Sequence, residues 1–151
     1  MGNVFFNTRM FLMTRDAHYL DVAEVALFNN ALAGTNLAGN RFFYVNPLEA
    51  DGKTPFNHGT PGRAEWFDVA CCPSNLARLM PQVPGLMYAY EADALYVTLY
   101  GSNLSEIPLE GGSVRVRQVA DFPFEGRVTL TLTPKRAQRF RLMLRVPTWW
   151  R

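Results

Sequence analysis

Cysteine is scarce in this 151-residue chain: there are two, Cys71 and Cys72, and they are neighbours. Adjacent Cα atoms lie below the usual disulfide separation, so the pair can close only a strained small ring. A disulfide framework is thereby excluded, and two reduced thiols are expected, which points toward a cytoplasmic, reducing setting. No apolar run approaches the roughly 20 residues of a membrane helix, so no membrane partner is expected. Met1-Gly2-Asn3-Val4 lacks the charged region and apolar block of a signal peptide. Charge of one sign is also missing. The net charge is +2 with the basic residues dispersed, which argues against a nucleic-acid or acidic-surface partner. There is no phosphate-binding glycine loop, no G-x-S-x-G elbow, no CxxC and no H-E-x-x-H.

What is present is an ordinary globular composition, 48% hydrophobic and 19% charged, in a chain long enough for one real core. Its two halves have different periods. Tyr19, Leu20, Ala23, Ala26 and Leu27 recur at three- and four-residue spacing, which predicts a helix with Asp16 as N-cap and Gly34 as terminator. Val4 to Leu12 reads as a further helix without a start signal. From Thr35 to Ala70, Gly39, Pro47, Gly52, Pro55, Gly59, Pro61 and Gly62 punctuate a long loop, of the kind that usually carries function. A short helix follows Cys71-Cys72, with Pro73 in its first turn and Pro81 and Pro84 limiting its far end.

Beyond Gly85 the period is two. Alternation around Leu95–Leu99, Val114–Val116, Val128–Leu132 and Phe140–Val146 predicts half-buried strands separated by Gly- or Pro-bearing turns. Such strands are expected to pair antiparallel in a sandwich or barrel. The segment Trp149-Trp150-Arg151 leaves large aromatics with nothing after them, and together with the helix that lacks a start this predicts an internal fragment of a longer protein.

Chemistry concentrates at Cys71 and Cys72. A thiol acts as nucleophile or metal ligand only as thiolate, and zinc takes sulfur, imidazole and carboxylate ligands, usually four. Both cysteines also fit a plain role as small buried apolar residues. His58, Glu65 and Asp68 precede the pair and could complete a metal site, although a loop histidine is equally at home in solvent. Glu49 could meet sugar hydroxyls or lie free on the surface. Phe42, Phe43, Tyr44, Trp66 and Phe67 could stack on a sugar ring or fill the core; Tyr44 is the best of them for a polar contact. Asn103-Leu104-Ser105 matches the glycosylation tripeptide, a frequent chance match.

Three stretches resemble glycoside hydrolase family 127: Arg41-Phe42-Phe43-Tyr44-Val45-Asn46-Pro47-Leu48-Glu49, then Glu65-Trp66-Phe67-Asp68-Val69-Ala70-Cys71-Cys72-Pro73-Ser74-Asn75-Leu76-Ala77-Arg78, then Leu95-Tyr96-Val97-Thr98-Leu99-Tyr100. Leu144-Arg145-Val146-Pro147-Thr148-Trp149 also looks like a strand end from that family. The Trp-Phe…Cys-Cys-Pro…Asn block is the specific part. The resemblance implies an α+β chain: residues 1–85 would be the C-terminal helices of an (α/α)₆ barrel with the Cys-Cys loop. Residues 86–151 would be the start of an antiparallel β-sandwich.

The resemblance further implies a retaining glycosidase that releases L-arabinofuranosyl or related units from an arabinose-containing glycan. Cys71 matches the family's nucleophile, Cys71 and Cys72 match zinc ligands, and Tyr44 matches a tyrosine near the bound sugar. The remaining zinc ligands, a Glu and a Cys, and the acid/base Glu would precede Met1, and no third cysteine is present. An inactive fragment is therefore expected, with the missing N-terminal part as its partner. Two other readings stand beside it: a non-catalytic carbohydrate-binding or structural β-module, and a small zinc-thiolate protein using Cys71, Cys72, His58 and a carboxylate.

Overall fold

The computed structural model describes residues 1–150. Arg151, the last residue of the expected second domain, lies outside the described residues. The architecture is mixed α+β: three helices and a long loop, then two three-stranded sheets.

Helix α1 runs Gly2–Thr14 and α2 runs His18–Val25. Arg15 between them is left-handed at φ 61°, which turns the chain sharply enough for the two helices to pack on each other. The N-cap position of α2 is Ala17, not the expected Asp16, whose carboxylate lies one residue earlier and accepts from the His18 N–H at 2.9 Å. Beyond α2 the chain continues as a π-helical turn over Ala26–Ala31 and a 3₁₀ turn over Leu32–Gly34. Helix α3 spans Cys71–Leu79 with Pro73 buried in its first turn. It runs on into a 3₁₀ segment, Met80–Leu86, where Pro81 and Pro84 withhold the N–H groups that an α-helix needs.

One sheet has the order β1-β2-β6, from Tyr88–Tyr90, Ala94–Val97 and Arg141–Leu144. The other has the order β3-β4-β5, from Asn103–Ile107, Val114–Ala120 and Val128–Pro134. Four of the six strands lie where the alternation predicts strands, and β1 and β3 carry no such signal; burial alternates in β4 and β5. Antiparallel pairing holds for every pair except β2 with β6, which is parallel. Strand β6 enters the first sheet only after the chain has built the second, and a connection that long can deliver a strand in either direction.

Apolar burial ties the parts together. Val4, Leu27, Ala31, Leu76, Leu79 and Leu99 form one cluster, so α1, the π turn, α3 and the end of the β2 run share a core. Phe11 and Leu20 pack on Ala89, joining α1 and α2 to β1. Leu95 of one sheet packs with Ile107, Val114 and Val116 of the other.

Strand β6 departs from its expected half-burial. All four of its residues are exposed, and past its end the phase inverts: Arg145 is 5% exposed whereas Val146 is 70% exposed. Charge explains the inversion. Arg145 forms ion pairs with Asp21 at 2.8 Å and with Glu24, both buried on α2. The Trp149 indole N–H donates to the second Glu24 oxygen at 2.8 Å, and the Tyr100 hydroxyl donates to the Arg145 carbonyl. A buried guanidinium is tolerable only with such partners, and these lock the last strand onto the second helix.

The Asn103 side chain is engaged as well. Its carbonyl accepts from the Tyr88 and Ser105 hydroxyls, and its amide donates to the Gly101 carbonyl. The glycosylation tripeptide thus serves packing at the start of β3. Among the described residues no helix is long and apolar enough to cross a membrane.

Candidate functional site

The site lies where the long loop meets the first turn of α3. Cys71 opens that helix, where unpaired backbone N–H groups and the helix dipole favour negative charge. The Ser74 hydroxyl and the Asn75 amide donate to the Cys71 carbonyl at 3.1 and 3.0 Å, which fixes the turn. Cys71 is exposed and Cys72 half-buried, both as free thiols, with their sulfurs 3.9 Å apart. The small-apolar-residue reading therefore does not describe Cys71.

Tyr44 comes to this point from the other end of the loop. The Cys71 Sγ–H donates to the Tyr44 hydroxyl oxygen at 3.0 Å, and with the thiol ionised the same hydroxyl can donate to the sulfur. That contact is the largest influence holding the Cys71 thiol below the ordinary thiol range, with desolvation opposing it. The same contact raises the Tyr44 phenol. Burial pushes the Cys72 thiol the other way, up. Two identical adjacent groups are thus separated by environment, with Cys71 the more readily ionised.

Aromatic rings pack around Tyr44. The His58 ring lies 4.2 Å from that of Tyr44, and the buried Phe67 ring lies 5.5 Å from each, mostly edge to face. His58 is left-handed at φ 50°. Phe42 packs edge-on against Trp66, whose ring stays 59% exposed. Phe43 lies under the Arg63 guanidinium at 4.2 Å and beside Phe56. Of the aromatic candidates, Tyr44 reaches the thiol and Phe67 packs behind Tyr44; Phe42, Phe43 and Trp66 brace the loop.

The acidic and imidazole candidates are not gathered into a ligand set. Glu65 pairs with Arg41 at 2.9 Å on the surface, and Glu49 and Asp68 are exposed. Among the described residues no group of three or more His, Cys, Asp or Glu side chains could hold a metal. A zinc-thiolate site completed inside this chain by His58 and a carboxylate therefore has no geometric basis. Sequence reasoning passed over Asn57, whose fully buried amide links the two limbs of the loop. Its only local signal was the turn-forming run Asn57-His58-Gly59.

Comparison with known proteins identifies the family of the chain. Residues 1–85 match the model of the β-L-arabinofuranosidase GH127 catalytic domain, and residues 94–151 match that of the GH127 middle domain. A non-reducing end β-L-arabinofuranosidase of Bifidobacterium longum subsp. longum is 34% identical over 97% of this chain, which spans 23% of that protein's length. A solved GH127 β-arabinofuranosidase superposes with a TM-score of 0.87 at 40% identity, over 98% of this chain and 22% of its own. A GH127 β-L-arabinofuranosidase from Geobacillus stearothermophilus T6 gives 0.85 at 41% identity, over 97% of this chain and 24% of its own. With both domain models matched in order along the sequence, the chain belongs to glycoside hydrolase family 127.

Proposed function

We propose that this chain carries the nucleophile of a retaining glycosidase that releases L-arabinofuranosyl or related units from an arabinose-containing glycan. The observation that carries the reading is the exposed Cys71 thiol with the Tyr44 hydroxyl 3.0 Å from its sulfur, a contact that lowers the thiol's pKa. In this reading the Cys71 sulfur attacks the anomeric carbon, and the carbon–oxygen bond to the leaving group breaks. The departing oxygen takes a proton from a carboxylic acid outside this chain. Water then attacks the same carbon and gives its proton to that carboxylate, and the sulfur–carbon bond breaks, returning the thiolate. Two inversions leave the configuration retained. Tyr44, beside both the thiol and the aromatic rings, contacts the sugar.

Zinc suits the same pair of sulfurs. Two thiolates at about 2.3 Å on a tetrahedral zinc ion lie about 3.8 Å apart, and the Cys71 and Cys72 sulfurs stand 3.9 Å apart. Cys71 and Cys72 would hold the ion as two of its ligands, with the others supplied from outside this chain. A bound zinc ion would keep the thiols deprotonated near neutral pH. Residues 1–85 would form the end of an (α/α)₆ barrel, and residues 86–151 the beginning of a β-sandwich. By itself the chain is expected to turn over no substrate, because the acid/base group is not among its residues.

The test is a chimaera in which these 151 residues replace the matching segment of the Bifidobacterium longum relative. Release of arabinose with retained configuration, followed by proton NMR, is expected. Cys71→Ser should lower it by on the order of 10³-fold or more. A chimaera that turns over equally well with Cys71→Ser overturns the reading.

A further inference from the structure

Tyr44 has no strand ladder to hold it. Backbone pairing in this stretch stops at Phe42 and Phe43, whose N–H groups reach the Ala64 and Gly34 carbonyls at 2.8 Å each. The next two N–H groups, of Tyr44 and Val45, turn to one side-chain oxygen, Asn57 Oδ1, at 2.8 and 3.3 Å. The Asn57 amide nitrogen donates to the Gly62 and Phe42 carbonyls at 2.8 and 3.3 Å. All four hydrogen-bonding positions of this side chain are thus used, and all on main chain. The Asn57 main chain closes a tight pair with Thr60, at 2.9 and 3.3 Å. His58 follows in the left-handed region and lays its ring 4.2 Å from that of Tyr44.

A single buried amide therefore replaces the missing ladder and sets Tyr44 from two directions, through its backbone and through the ring laid beside it. We propose that Asn57 is a positioning residue for the Cys71 thiol, acting through Tyr44; the proposal rests on the reading of Cys71 as nucleophile. A loop with the same glycines and prolines but no such amide would leave the Tyr44 hydroxyl free to swing off the sulfur. Thiol reactivity would then fall although the fold persisted.

The test uses the metal-free 151-residue chain and iodoacetamide at one fixed pH. Tandem mass spectrometry reads the alkylation rate at Cys71, with Cys72 as internal reference. Tyr44→Phe should lower the Cys71/Cys72 rate ratio about two- to fivefold, the scale of one hydrogen bond lost at the Cys71 sulfur. Asn57→Ala should lower it equally, and the double variant should fall no further. Asn36→Ala, which removes loop hydrogen bonds to Asn40 and Arg41 but none to Tyr44, should leave the ratio unchanged. Should circular dichroism show Asn57→Ala unfolded, Asn57→Asp decides. It keeps the acceptor for Tyr44 and Val45, and its ratio should stay within about twofold of the parent value. A ratio as low as that of Tyr44→Phe would count against the proposal there. An unchanged ratio in Asn57→Ala with a lowered one in Tyr44→Phe overturns the role of Asn57 alone. An additive fall, or an equal fall in Asn36→Ala, overturns the route through Tyr44. A parent chain with no preference for Cys71 overturns the nucleophile reading and this proposal with it.

Discussion

The thiol loop and the junction between α2 and the end of β6 are built on opposite principles. At the junction, charges are buried: Arg145, Asp21 and Glu24 are all withdrawn from water and pair with one another, with Trp149 closing the group and the Arg145 Nε left without a partner. At the loop, the Cys71 thiol is exposed, and what is buried behind Tyr44 is a neutral amide, Asn57, bonded only to main chain. The first arrangement tolerates little change, because a charge left alone inside a protein is very costly. The second leaves the thiol open to solvent and reagents while fixing its neighbour. Stability and reactivity are thereby assigned to different places in one small chain.

Breaking the junction should have the largest effect. Arg145→Met removes the cation and strands two buried carboxylates, and a loss of about 3–5 kcal/mol is expected by urea unfolding. A loss under about 1 kcal/mol would show that the junction does not hold the two halves together.

Breaking the loop should cost less and stay local. Asn57→Ala leaves the Tyr44 and Val45 N–H groups and the Gly62 carbonyl without these partners, while the Phe42 carbonyl keeps the Ala64 N–H, a cost of about 1–3 kcal/mol. Limited proteolysis should then cut within residues 42–62 well before the helices; uniform cutting along the chain would contradict a local role.

A smaller effect separates the regions by pH. The exposed Asp51 carboxylate accepts from the Lys53 and Thr54 N–H groups and the Thr54 hydroxyl, which hold it at about 2. Its folded value lies below the ordinary 3.8, so its stabilising contribution is complete above that value and is lost as pH falls toward about 2. Asp51→Ala should flatten the fall in melting temperature between roughly pH 4 and pH 2 relative to the parent, without altering stability differences between pH 6 and pH 7.

The smallest effect expected is none. A chelator should leave the melting temperature of the chain unchanged, since two thiols alone offer half of a zinc ligand set. A drop of several degrees would show a structural metal and would join the two regions energetically.

How far the sequence could be read follows from the kind of interaction at each point. Cys71, Cys72 and Pro73 were legible because an adjacent pair of thiols before a helix-starting proline is a rare local pattern. The alternation Val114–Val116 and Val128–Leu132 was legible because one face of β4 and β5 meets the core. Strand direction was not, since a two-residue period is the same in parallel and antiparallel pairs, and β6 proved parallel to β2. Strand β3 hid behind the polar run Asn103-Leu104-Ser105-Glu106, whose buried partners come from other strands. The inversion at Arg145 depends on carboxylates more than a hundred residues earlier, beyond any local window. Asn57 was hidden for a related reason: asparagine in a Gly/Pro-rich loop reads as a turn former, and only the fold shows that its amide spans both limbs.

The most direct measurement is affinity labelling of the chain with a bromoacetamide derivative of L-arabinofuranosylamine, mapped by tandem mass spectrometry against plain bromoacetamide. The account predicts alkylation that favours Cys71 over Cys72, faster at Cys71 with the sugar-bearing reagent than with the plain one, and slowed by free L-arabinose derivatives. Equal rates for the two reagents, or labelling shared evenly between Cys71 and Cys72, would contradict a sugar-directed nucleophile at Cys71.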